Sequence, residues 1–193
     1  TGNAEVWEHV IRTVRTGAMP PAGRPRPDKT VATTLVTYLE TELDKVPAEL
    51  LRAELSAPGY VPSVMALGTN TDPYQPIERE YRITRQVLEV LSEFNHPVGI
   101  VTKSALVTRD LDILKSMAER GLVKVAISIT TLNARLARAM EPRAATPSKR
   151  LAALEALAAA GIPSVVMVAP IIPAVNDGEI ETILTRAQAA GAR

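Results

Sequence analysis

No cysteine occurs among the 193 residues. Disulfides, thiolate metal sites and haem attachment through cysteine are therefore excluded within this sequence. Aromatic residues are scarce, at 3%, too few for a platform on which single-stranded bases could stack. Charge of either sign is not in excess: the net value of +1 gives no electrostatic case for nucleic acid or an anionic membrane. No apolar run reaches the roughly 18 residues of a membrane span, and the N-terminus lacks the basic and apolar regions of a signal peptide. A cytoplasmic chain without a membrane partner is the expectation. The first residue is Thr1 rather than methionine, as expected of a fragment or a processed form. What is present is 46% hydrophobic and 22% charged residues, the balance of a globular protein with one sizeable core and room for an appendage.

The first 45 residues read as a helical pair. Asn3 is a plausible N-cap, Val6, Trp7, Val10, Ile11 and Val14 fall on one helical face, and Gly17 stops the helix. The connection GAMPPAGRPRPD contains four prolines and reads as an extended loop. Asp28 caps a second helix with its stripe at Val31, Leu35, Leu39 and Leu43. The stretch WEHVIRTVRTGAMPPAGRPRPDKTVATTLVTYLETELD resembles the C-terminal half of a c-type cytochrome domain. That resemblance implies that Met19, in the MPP motif, is a distal haem ligand, with Pro20 and Pro21 stiffening the loop that offers its thioether. The attachment motif C-x-x-C-H of haem c is missing, and His9 lies on a polar helical face, so haem c binding is not expected.

After Pro47 the pattern changes. A short helix from Ala48 to Ala57 is followed by repeated strand–helix units of roughly 30 residues. Strands are expected at Val64–Leu67, Val98–Val101, Val123–Ile127 and Val165–Val168. Helices are expected through Tyr81, Val87, Leu88, Leu91 and Phe94; over Arg109–Arg120, capped by Thr108; near Asn133–Met140; over Pro147–Ala160, capped by Thr146; and from Asn176 or Asp177 to Ala190. Apolar strands separated by helices imply a parallel sheet with right-handed crossovers. The expected fold is α/β, a partial β/α barrel of about four parallel strands in sequential order. It forms an open arc with helices on one side and an N-terminal helical appendage. The competing architecture is a doubly wound sheet. No Gly-x-Gly-x-x-Gly follows the first strand, which weakens a dinucleotide-binding version.

In such a sheet the C-terminal strand ends share one rim. Thr69, Asn70, Thr71 and Asp72 follow the first strand; Thr102, Lys103 and Ser104 the second; Ser128, Thr130 and Thr131 the third; Ala169 and Pro170 the fourth. One lysine, one carboxylate and several hydroxyls there could hold a zwitterion, with Lys103 on a carboxylate and Asp72 on an amine or hydroxyl. The blander reading has Asp72 capping a helix or turn, Lys103 solvated and Ser128 capping the short helix.

From about Val46 to Arg193 the sequence resembles radical S-adenosylmethionine proteins related to spore photoproduct lyase. GTNTDPYQPIE, IVTKS, VAISITTLN, MEPRAATPSKRL and VMVAPIIPAVND carry the resemblance, in that order. It implies a β/α barrel that binds S-adenosylmethionine at a [4Fe–4S] cluster and cleaves it reductively to a 5′-deoxyadenosyl radical. It further implies that Thr71 and Asp72 lie beside the methionyl amine, that Lys103 and Ser128 hold the methionyl carboxylate, and that Val168, Ala169 and Pro170 run under the adenine. A nucleic-acid substrate follows by family analogy only. The family's C-x-x-x-C-x-x-C motif, which precedes the first helix of the barrel, has no counterpart here. Thr69 stands where the lyase has a hydrogen-donating cysteine. The expectation is therefore a radical S-adenosylmethionine core, residues 46–193, without radical activity, preceded by a cytochrome-like segment, residues 1–45. The joint at Asp44-Lys45-Val46 suggests a recombined or misassembled reading frame more than a fusion. The alternatives are a haem-binding electron-transfer segment and a non-catalytic α/β fragment.

Overall fold

The computed structural model describes residues 11–13, 28, 30, 33–34 and 47–193. The chain divides into two compact units, Thr1–Ser56 and Ala57–Arg193. In the first, residues 11–13 are helical, and the Asp28 carboxylate accepts the Thr30 amide at a helix start. Met19 and His9 lie outside the described residues. The helix over residues 47–55 follows the expected stretch, with Ala48 and Leu55 buried, but Leu50 is 52% exposed. No helix among the described residues is long and apolar enough to cross a membrane.

The second unit is built on one sheet of four parallel strands in the order β1-β2-β3-β4. They are β1 (Met65–Leu67), β2 (Val98–Thr102), β3 (Val123–Ser128) and β4 (Ser164–Met167), each within a residue or two of the expected span. The register aligns Leu67, Ile100, Val125 and Ser164 across the sheet. A strand order that never reverses, joined by right-handed crossovers, keeps the helices on one face. The sheet is therefore the open portion of a β/α barrel, and the doubly wound alternative is ruled out.

Burial follows the pleat. In β2, Val98, Ile100 and Thr102 are buried and Gly99 and Val101 are half-buried, so one face meets the helices and the other is less covered. Leu88 and Leu91 from α2 (Ile83–Glu93), Leu114 and Met117 from α3 (Leu111–Glu119), Leu154 and Leu157 from α5 (Pro147–Ala159) and Ile183 from α6 (Ile180–Ala189) are essentially inaccessible.

Three expected helices differ in detail. The first is broken: α1 (Glu78–Tyr81) and α2 are separated by Arg82, whose φ is 52°. The second begins with a 3₁₀ turn, Ala105–Asp110, capped by Ser104 rather than Thr108. The last starts at Ile180, after a 3₁₀ turn at Asp177–Glu179, so neither Asn176 nor Asp177 caps it. The short helix α4 (Ala134–Met140) is capped by Asn133, whose side-chain oxygen accepts the Arg135 and Leu136 amides. Ser128 therefore caps nothing. Thr146 holds the N-cap position of α5 and Pro147 its first turn, as the sequence indicates, although the Thr146 hydroxyl makes no capping bond.

Candidate active site at the C-terminal rim

The turn after β1 places Asp72 against the end of β2. Its carboxylate accepts the Tyr74 amide at 2.9 Å, the Thr102 hydroxyl at 2.7 Å and the Lys103 amide at 2.8 Å. The Tyr74 bond is the local turn that an aspartate two residues upstream makes. The other two fasten the first strand end to the second. Asp72 thus orients the Lys103 backbone, and Thr69, Asn70 and Thr71 project from the same turn as exposed residues.

The Lys103 side chain is 37% exposed and its ammonium pairs with Oε1 of Glu141, 38 residues away at the end of α4. Glu141 is only 11% exposed, and its other oxygen accepts Arg150 Nη2 at 2.6 Å. The Arg150 guanidinium is 2% exposed and spends its remaining donors on the carbonyls of Ala145 and Ser128, both at 2.8 Å. A buried cation with every arm engaged is a fixed anchor. Burial pushes the Glu141 carboxyl up, but hydrogen bonds from Lys103 and Arg150 outweigh it and leave the group below its usual range.

The third and fourth strand ends are tied through hydroxyls. Ser128 Oγ donates to the Ala169 carbonyl at 3.4 Å, and Thr130 Oγ1 lies 3.1 Å from the same carbonyl and 3.0 Å from Glu141 Oε1. Asn176, 1% exposed, holds the segment beyond β4. Its amide nitrogen donates to the carbonyls of Thr130 (2.7 Å) and Pro170 (2.9 Å), and its oxygen accepts the Ile172 amide (2.7 Å). The Ala169–Pro170 peptide is cis. Glu179 accepts the Thr131 hydroxyl and, at 2.7 Å, the Leu132 amide.

The structure thus gathers Asp72, Lys103, Ser128 and Ala169 at one rim, with Val168 and Pro170 flanking the last. Thr71 is nearby in sequence but turned to solvent, and Ser128 is buried at 2% exposure. Four residues the site depends on escaped the reading of the strand ends: Glu141, Arg150, Asn176 and Glu179. Arg150 had a signal. Pro147, Arg150, Leu151, Leu154 and Leu157 share the buried face of α5, and a charged residue in such a stripe needs a partner. Glu141 had none, because its partners Lys103, Thr130 and Arg150 come from three other segments.

The sequence profile of the radical SAM superfamily matches residues 31–187. An uncharacterized protein of Mycobacterium tuberculosis (strain ATCC 25618 / H37Rv) is 40% identical over 147 residues, 75% of this chain and 43% of that protein. An uncharacterized protein of Methanocaldococcus jannaschii is 30% identical over 120 residues, 62% of this chain and 45% of that protein. One of Acidianus two-tailed virus is 36% identical over 110 residues, 57% of this chain and 35% of that protein. The chain spans less than half the length of these curated relatives. No solved structure matches it. With four sequential parallel strands, a polar rim at their C-terminal ends and a profile match over most of its length, the chain belongs to the radical SAM superfamily.

Proposed function

We propose that this chain is the S-adenosylmethionine-binding core of a protein similar to spore photoproduct lyase, and that these residues bind the cofactor without cleaving it. The superfamily implies two groups, S-adenosylmethionine and a [4Fe–4S] cluster. The first fits the donor set at the rim. Lys103 offers a half-exposed ammonium to the methionyl carboxylate, with Ser128 buried at the next strand end as the second donor, and Thr71 supplies an exposed hydroxyl for the amine. Asp72 holds the turn that carries Thr71 and acts on the amine by its charge, since both its oxygens already accept protein donors. Val168, Ala169 and Pro170 form the strip for adenine, held by Asn176. The cluster does not fit: the sequence has no cysteine, and the described residues contain no group of three or more histidines, aspartates or glutamates able to hold a metal ion. Cluster thiolates are the ligands that such iron needs, and this sequence supplies none of them. Nucleic acid enters as a partner by family analogy alone, and Thr69 in place of the lyase cysteine argues against thymine-dimer repair.

The observation that carries this reading is Lys103, a half-exposed cation held at the rim by its backbone and by a single carboxylate. One charge-assisted hydrogen bond contributes about 1.5–3 kcal/mol, and without a cluster to share the methionyl group the dissociation constant should be on the order of a millimolar, roughly −4 kcal/mol. Titration with S-adenosylmethionine, followed by amide shifts in nuclear magnetic resonance, should map to Thr71, Lys103, Val168 and Ala169. Lys103→Ala should weaken binding clearly, whereas Lys149→Ala, on the exposed face of α5, should not. Equal titrations for the two variants, or shifts confined to the Met19 loop, would discard the reading.

A further inference from the structure

The Lys103–Glu141 pair deepens that reading and rests on it. Glu141 is held by two cations of different standing. Arg150 is buried, fixed by two backbone carbonyls, and cannot leave without uncovering its charge. Lys103 is half-exposed on a flexible stem and can turn away at little cost. Against the pair lies a hydroxyl with one proton and two acceptors: Thr130 Oγ1 reaches Glu141 Oε1 at 3.0 Å and the Ala169 carbonyl at 3.1 Å. When Lys103 turns, the Thr130 hydroxyl can keep donating to Glu141 and replace part of the lost stabilisation. When Lys103 returns, the hydroxyl can donate to the Ala169 carbonyl instead.

We propose that Glu141 is an internal stand-in for the ligand carboxylate: it occupies Lys103 in the ligand-free protein and yields it when a carboxylate-bearing ligand binds. Glu141 is a positioning residue here. It keeps the Lys103 ammonium at the rim, on the carboxylate oxygen that Thr130 also reaches, and it stays neutralised by Arg150 once Lys103 has moved. The arrangement makes affinity a competition between two carboxylates for one ammonium. It therefore sets a selectivity: ligands with a carboxylate pay the exchange, and nucleosides without one do not.

The test compares S-adenosylmethionine with methylthioadenosine, which keeps the adenosine part and lacks the amino acid. Glu141→Gln retains an oxygen for Arg150 and removes the competing charge. It should bind S-adenosylmethionine roughly three- to ten-fold tighter, as expected for removing one like charge a few ångströms away in a part-exposed site. Methylthioadenosine affinity should not change, and Lys103→Ala/Glu141→Gln should bind S-adenosylmethionine like Lys103→Ala. A second measurement needs no variant: the carboxyl carbon resonance of Glu141 in the wild-type chain should shift with S-adenosylmethionine and stay still with methylthioadenosine. If wild type binds neither compound, the ligand reading falls and this inference with it. If S-adenosylmethionine binds but Glu141→Gln weakens it or leaves it unchanged, or the Glu141 resonance stays still, the ligand reading survives and the stand-in role is overturned.

Discussion

Gly68, the residue that ends β1, shows how little freedom the rim has at single positions. Its φ is +96°, and a Cβ added there would lie 2.0 Å from the Val101 carbonyl oxygen of the neighbouring strand. Backbone cannot give way by that much, so both the conformation and the space demand glycine. The reason is local to the site: the chain must turn sharply enough for Asp72, four residues on, to reach Thr102 and Lys103 of β2 and its following loop. Gly68→Ala should cost about 2–4 kcal/mol of stability. Gly121 is the internal comparison, with φ of +71° and no atom within 4 Å of an added Cβ. Gly121→Ala should therefore cost only about 1 kcal/mol. Urea titrations of both variants check this, and equal midpoints would show that the contact with Val101 is not the constraint.

Among the elements, α2 has the least orthodox start. Its N-cap position is Arg82, in a left-handed conformation and without a side-chain cap. The work is done from a distance: Glu78, 7% exposed, accepts the Thr84 amide with both carboxylate oxygens at 3.1 Å. Arg109 in turn holds Glu78 through its carboxylate and its carbonyl, and itself pairs with the inaccessible Asp110 at 2.8 Å. A carboxylate over the first amides of a helix also suits the helix dipole. Glu78→Ala should cost about 2–4 kcal/mol, because it leaves the buried Thr84 amide without its partner and takes one acceptor from Arg109. Hydrogen exchange should quicken first at Thr84, ahead of Leu88 and Leu91. Uniform quickening over α2 would instead mean that Glu78 supports the core as a whole.

The same elements mark what the sequence could disclose. Strand positions were legible from short apolar runs bounded by glycine and proline, and α5 from Thr146, Pro147 and Gly161. The break at Arg82 was not, because the apolar positions Tyr81, Val87, Leu88 and Leu91 continue a helical period across it. Nor was the Ser104 cap, since Thr108 offers an equally good capping residue four positions later. Convergence of Asp72, Lys103, Ser128 and Ala169 was readable from topology alone, because parallel strands share a rim. Their pairing was not: which carboxylate meets Lys103 depends on where the loop after α4 returns, and no spacing records that.

At the scale of the whole molecule, two ion-paired carboxylates, Glu141 at the rim and Asp112 on α3, couple folding to pH. Hydrogen bonding to Arg85 holds the Asp112 carboxyl below its ordinary 3.8, against an upward push from burial. At Glu141 burial is the largest single influence and pushes upward, yet Lys103 and Arg150 together bring the group below its ordinary 4.5. A carboxyl whose folded value lies below its unfolded value stabilises the protein fully above the unfolded value, and that contribution is lost as pH falls through the folded one. The two sites should differ in weight. Asp112 is 62% exposed, so water and salt screen its pair. Glu141 is 11% exposed, joins segments 38 residues apart and carries the larger share. Thermal midpoints of wild type and Glu141→Gln should therefore differ by a constant amount at neutral pH, with wild type the more stable. The gap should begin to close below pH 4.5, where the unfolded chain takes up the proton first. For Asp112→Asn the gap should be smaller at every pH, begin to close only below 3.8 and shrink further in high salt. Wild-type and Glu141→Gln curves that stay parallel through the acid range would show that Glu141 gains nothing on folding, and that Lys103 and Arg150 do no more than offset the cost of its burial.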